Sequence, residues 1–119
     1  MKCLLIIAHG SRRQESNEEI ACLTDKVSDI AANQFDCVTH AFLELGNPSI
    51  SEGLLGLIHQ KANKIHVLPY FLAAGRHVIE DIPQEVAKVK ARFPEVDIVV
   101  QPHFGSTENI AKEVLLSSL

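Results

Sequence analysis

Apolar and polar positions fall into blocks of two different periods along this chain. Lys2 to Ala8 is a near-continuous apolar run, the mark of a strand buried on both faces. Ser16 to Ala32 places Ile20, Leu23, Val27 and Ile30 at helical spacing, with Glu18, Glu19, Asp25 and Lys26 off that stripe. Asp36 to Leu43 predicts a second strand. Pro48 to Lys61 predicts a helix with Ile50, Leu54, Leu57 and Ile58 on one face and Ser49 as its N-cap. Lys64 to Phe71 predicts a third strand. Pro83 to Phe93 predicts a helix with Val86, Val89 and Phe93 inward and Pro83 in its first turn. Asp97 to Gln101 is a fourth strand, followed by a helix over Ser106 to Leu116 with Ile110 and Val114 facing the core.

The order is βαβαβαβα. Strands alternating with helices imply right-handed crossovers, so the expected class is α/β. A single domain over residues 1–119 is expected, a doubly wound sheet of four mainly parallel strands with helices on both faces.

In such a sheet, ligands bind beyond the carboxyl ends of the strands. The first strand ends in His9-Gly10-Ser11-Arg12-Arg13 and the second in Glu44-Leu45-Gly46-Asn47-Pro48. The third leads into the loop Leu72-Ala73-Ala74-Gly75-Arg76-His77, and the fourth into Pro102-His103-Phe104-Gly105-Ser106. Imidazoles and a carboxylate are thereby expected on one edge. Glu44, following Ala41-Phe42-Leu43, is expected to be partly buried. His40 and His66 fall inside strands, and His59 falls on a helix surface.

Composition narrows the possible chemistry. The 119 residues are 46% hydrophobic and 22% charged with a net charge of -4, an ordinary globular balance. No basic block exists, so a nucleic-acid partner is not expected. No apolar run is long enough to cross a bilayer, so no membrane partner is expected either. Three of the four arginines, Arg12, Arg13 and Arg76, nevertheless sit in the carboxyl-edge loops. This pattern points to an anionic ligand beside a metal or a proton-transfer group. Cys3, Cys22 and Cys37 are odd in number and lack CxxC spacing, so reduced, mostly buried thiols in a cytoplasmic protein are expected. GxGxxG, GxxxxGK[ST] and GxSxG are all absent, which removes the standard nucleotide cradles and the hydrolase elbow. The arginine that histidine phosphatases place before their histidine is replaced here by Ala8.

Three blocks together resemble one family. They are Ala8-His9-Gly10-Ser11-Arg12, Phe42-Leu43-Glu44 with Asn47-Pro48-Ser49-Ile50, and Leu68 to Val78 with Asp81-Ile82-Pro83. The chain is similar to the CbiX/SirB group of class II chelatases, which insert a divalent metal into sirohydrochlorin. The third block is the most specific, and Asn47 departs from the acid that some members carry there.

The resemblance implies metal ligands at His9 and His77, with Glu44 as a third ligand or proton acceptor. It also implies Co²⁺, Fe²⁺ or Ni²⁺ as a substrate and no organic cofactor. Ser11, Arg12, Arg13, Asn47 and the segment Leu72, Ala73, Ala74, Gly75 and Arg76 would then hold the macrocycle. Imidazole suits such ions better than an oxygen-only site does. Arginine suits a polycarboxylate by bidentate pairing. Larger chelatases hold the macrocycle between two lobes, so one lobe of this kind is expected to work as a homodimer. A non-catalytic metal or tetrapyrrole carrier and a flavodoxin-like binding module are the alternative readings.

Overall fold

The computed structural model describes residues 1–119, except for the side chain of His77. Four strands, β1 (Lys2–Ala8), β2 (Cys37–Phe42), β3 (Lys64–Pro69) and β4 (Asp97–Val100), form one all-parallel sheet in the order β2-β1-β3-β4. The helices are α1 (Gln14–Ala31), α2 (Ile50–His59), α3 (Arg76–Arg92) and α4 (Ile110–Ser117), with a 3₁₀ turn at Phe104–Ser106 before α4. The α/β class and the doubly wound parallel order are those expected.

β1 is central, which explains its apolar run: Leu5 and Ile7 face one layer and Ile6 and Ala8 the other, all buried. Register pairs Cys3 with Cys37, Leu5 with Thr39 and Ile7 with Ala41 on one side. On the other it pairs Cys3 with Ile65 and Leu5 with Val67. These side chains pack with Ile50, Leu54 and Leu57 of α2 and with Val78, Ile82, Val86 and Val89 of α3 into the main core. α1 lies on the opposite face, over β2.

α2 starts as expected. The Ser49 hydroxyl accepts the Glu52 backbone N–H at 3.1 Å, and the Glu52 carboxylate accepts the Ser49 N–H at 3.0 Å. The Ser49 backbone N–H, and after it the Ser49 hydroxyl, hold the Glu52 carboxyl below its ordinary value.

α3 departs from expectation. It begins at Arg76, with Gly75 as its N-cap, so Pro83 lies inside the helix. An interior proline costs roughly 3 kcal/mol. Burying Val78 and Ile82, which precede it on the inward stripe, returns roughly 1.5–3 kcal/mol each. Packing therefore extends the helix through the proline.

Other departures concern burial. Ile30 is 82% exposed, and Thr24 and Ala31 are the buried residues of α1. Cys3 is buried and Cys37 half-buried, but Cys22 is exposed, because its helix face points away from β2. In α4, Val114 is 60% exposed where an inward position is expected. That helix does not lie on the sheet but makes its main contact with the 3₁₀ turn before it.

Candidate functional site

The carboxyl edge of the sheet gathers the polar residues, as the strand-end rule requires. β1 ends at Ala8, and His9 follows where the chain leaves the sheet. β2 ends at Phe42, but its pairing continues: the Leu43 N–H donates to the Ala8 carbonyl at 2.9 Å, and the Glu44 N–H to the His9 carbonyl at 3.0 Å. Gly10 makes this approach possible. Its φ is +96°, and a Cβ there would overlap the Glu44 carbonyl. Glycine alone has no steric penalty in this conformation.

The side chains meet as well. His9 Nε2 and Glu44 Oε1 are 3.0 Å apart, and both side chains are 58% exposed. Glu44 is thus more accessible than expected, because it lies past the sheet edge while Leu43 before it still packs against the core. The His9 ring stands edge-on to Phe71, with ring centroids 6.3 Å apart. A cavity of about 470 Å³ opens beside the pair, lined by His9, Glu44, Ser49 and Ser51 on one side and Asp81, Gln84 and Glu85 of α3 on the other.

A second depression, of about 360 Å³, flanks the pair on the α1 side, with Ser11, Arg12, Gln14, Asn17 and Asn47 among its lining residues. Asn17 organises it. Its Oδ1 accepts the Ser11 N–H at 3.0 Å, and its Nδ2 donates to the Ser11 carbonyl at 2.9 Å and the Leu45 carbonyl at 3.1 Å. One amide therefore ties the loop after β1 to the loop after β2. The sequence reading did not single out Asn17; its place in the first turn of α1, just after the Ser11-Arg12-Arg13 loop, was the available signal. Gln84 and Glu85 were missed too. Their signal was their position on α3, one turn beyond Asp81, which belongs to the third sequence block.

The remaining expected residues spread around these two hollows. Among the described residues Arg12 has no ion-pair partner. Arg13 lies 3.7 Å from Glu15, and Arg76 Nε lies 3.2 Å from Glu80 Oε1. Leu72, Ala73 and Gly75 are exposed, with Leu72 at 71%, whereas Ala74 packs against the core. Arg76 belongs to the first turn of α3 rather than to the loop, because the helix starts earlier than Pro83. His77 falls in the same turn, and its side chain lies outside the described residues. His103 sits before the 3₁₀ turn, where its carbonyl accepts the Ser106 hydroxyl at 2.7 Å. It is not among the residues lining either hollow. His40 and His66 are half-buried in β2 and β3, and burial lowers the pKa of each.

An imidazole nitrogen and a carboxylate in contact can share a proton or bind one cation, which would replace that proton. The CbiX family model matches residues 3–117. The chain belongs to the CbiX family.

This CbiX chain is 31% identical over 113 residues to a sirohydrochlorin ferrochelatase of Priestia megaterium, a match spanning 92% of the chain and 41% of that protein. It is 30% identical over 122 residues to a sirohydrochlorin cobaltochelatase of Saccharolobus islandicus, covering 98% of the chain and 91% of that protein. The chain thus spans about two fifths of the ferrochelatase but most of the cobaltochelatase. Its fold superimposes on a CbiX protein of Marinobacter aquaeolei with a TM-score of 0.84 at 24% identity, covering 99% of the chain and 94% of that one. The sirohydrochlorin chelatase SirB of Bacillus subtilis, in complex with cobalt, gives 0.83 at 29% identity, covering 98% of the chain and 49% of that one.

Proposed function

We propose that this chain is a metal chelatase that inserts Co²⁺, Fe²⁺ or Ni²⁺ into sirohydrochlorin. The observation that carries the reading is the contact between His9 and Glu44 at the mouth of a polar cavity on the carboxyl edge. The relatives named as sirohydrochlorin ferrochelatase and cobaltochelatase support the choice of substrate.

Metal insertion must strip water from the ion and remove the pyrrole N–H protons. His9 Nε2 offers a lone pair to the ion in the tautomer that carries its proton on Nδ1. Glu44 is then the acceptor for protons leaving the macrocycle, and its exposure lets it pass them to water. His77, in the first turn of α3, is the second ligand on the strength of the resemblance.

The macrocycle lies against the other hollow. Ser11, Arg12, Arg13 and Asn47 face its carboxylates from the β1 and β2 loops, and Arg76 does so from α3. The exposed apolar Leu72, with Ala73, Ala74 and Gly75, lies along its ring. Asp81 and Glu85 give the cavity beyond His9 a negative wall, which favours a cation and disfavours a polycarboxylate. Ion and macrocycle therefore reach the His9–Glu44 pair from different sides. The working unit is read as a cytoplasmic homodimer, and among the described residues no helix is long and apolar enough to cross a membrane.

The test is an anaerobic insertion assay with sirohydrochlorin and each of Co²⁺, Fe²⁺ and Ni²⁺ in parallel. Metallated product forming faster than in the protein-free control, and lost in His9→Ala, is the expected result. Rates equal to the control with all three metals overturn the reading.

A further inference from the structure

Cys3 and Cys37 are partners across two neighbouring strands. The β1–β2 register sets them opposite each other at the start of the ladder, so both side chains lie on one face of the sheet. Cys3 belongs to the core that α2 covers on that face, and Cys37 packs against it. Neighbouring strands stand about 4.8 Å apart, and bridged cysteines have Cα atoms about 4.4–6.8 Å apart. The two residues are therefore within bonding range without a change of register.

That register is clamped one residue earlier. The Lys2 N–H donates to Asp36 Oδ2 at 2.8 Å, and the Asp36 N–H donates to the Lys2 carbonyl at 2.8 Å. Two reciprocal hydrogen bonds thus pin the strand ends immediately before the two thiols. The thiols also act on each other: Cys3 is pushed up to about 11, first by burial and next by the neighbouring Cys37.

Exposure gives the two thiols different parts. Cys3 is fully buried, whereas Cys37 is half-buried on β2, an outer strand of the sheet. A buried thiol with a raised pKa does not react with a reagent from solution, but a partly exposed one is open to it. Cys22 is exposed on α1, which lies on the opposite face of the sheet, and takes no part in the pair.

We propose that Cys3 and Cys37 form a reversible dithiol–disulfide pair, oxidised by small organic disulfides, that locks β1 to β2. The Cys37 thiolate attacks one sulfur of the reagent. The reagent's S–S bond breaks, a mixed disulfide forms on Cys37, and one thiolate leaves and takes up the proton that Cys37 lost. The Cys3 sulfur then gives up its proton and attacks Cys37 Sγ, and the second reagent thiol leaves with that proton. Two protein thiols are oxidised and one reagent disulfide is reduced to two thiols. The ladder locked in this way is the one whose far end carries His9 and Glu44. The pair does not depend on the chelatase reading.

Glutathione disulfide is the probe, applied to the folded full chain carrying Cys22→Ser at its exposed position. Peptide mass mapping is expected to show a Cys3–Cys37 cross-link, with two hydrogens lost, no glutathione retained and reversal by dithiothreitol. Tm is expected to rise by roughly 10 °C over the reduced form, because the bridge restricts the unfolded chain. Adding Cys3→Ser is expected to leave a lasting mixed disulfide on Cys37, and adding Cys37→Ser to leave Cys3 unmodified. Glutathione retained on Cys37 beside a free Cys3 overturns the pairing, as do cross-links only between chains or no reaction at either thiol. Modification of Cys3 without Cys37 overturns the order of attack, and a cross-link with unchanged Tm overturns the lock.

Discussion

Glu44 is fastened to His9 twice: its backbone N–H donates to the His9 carbonyl at 3.0 Å, and its carboxylate lies 3.0 Å from His9 Nε2. The main-chain bond fixes where the side chains meet. The carboxylate is therefore the part that can be changed without moving the loop. Glu44→Gln is expected to keep the fold, with a stability change within about 0.5 kcal/mol, as is usual at exposed positions. Its insertion rate is expected to fall roughly 10²–10⁴-fold, the range for loss of a positioned proton acceptor. Steady-state insertion kinetics check this, and a variant with the wild-type rate would remove Glu44 from the chemistry.

Gly10→Ala attacks the main-chain half of the same link. Its Cβ would meet the Glu44 carbonyl at a φ of +96°. The expected loss is on the order of 3 kcal/mol, combining left-handed strain with displacement of the loop. Thermal unfolding should show Tm lower by roughly 10 °C. Co²⁺ titration should show weaker binding as His9 and Glu44 separate. An unchanged Tm would mean that the loop relaxes freely.

Arg12→Ala is expected to raise KM for the macrocycle roughly tenfold or more, the worth of one charge-assisted hydrogen bond, while kcat stays near wild type. Wild-type KM should rise with salt, since exposed charge pairing is screened. A drop in kcat at unchanged KM would move Arg12 from binding to catalysis.

Two half-buried imidazoles set the neutral limb of the stability profile. His40 is lowered by burial, which outweighs the nearby Asp25. His66 is lowered by burial first and then by Lys2 and Lys64, with Asp97 opposing. A histidine lowered in the fold takes up its proton more readily once unfolded. The associated stability is complete above about pH 6.5 and is lost as pH falls below it. Urea denaturation between pH 7.5 and 5.5 should show this decline, and His40→Gln combined with His66→Gln should flatten it.

Ser49→Ala removes the cap of α2 and is expected to cost about 1 kcal/mol at neutral pH. It should also let the Glu52 carboxyl rise toward its ordinary value. A lowered carboxylate contributes stability above its unfolded pKa and loses it as pH falls through the folded one. The difference between Ser49→Ala and wild type should therefore shrink below about pH 4.5, near the ordinary carboxylate range. A constant difference would argue against the capping box.

The strands were legible because burial on both faces writes itself as an apolar run, as at Lys2 to Ala8. The ends of the helices were less so. Pro83 reads as a helix start, yet Val78 and Ile82 gain enough from burial to carry α3 back to Arg76. Ile110 and Val114 show helical spacing, but spacing cannot say what a helix lies on, and α4 does not lie on its own sheet. At the site, His9 and Glu44 were visible as strand-end residues. The bond between them depends on the register of β1 with β2 and on the φ of Gly10, neither of which a residue type records. Asn17 was missed because an amide in a helix's first turn is usually a surface residue.

The scaffold of the site is electrically silent. The loops bearing His9 and Glu44 are fixed by peptide groups and by the Asn17 amide, none of which gains or loses a proton across the physiological range. Replacing the His9 or Glu44 side chain should therefore empty the site of its chemistry while the two loops keep their places.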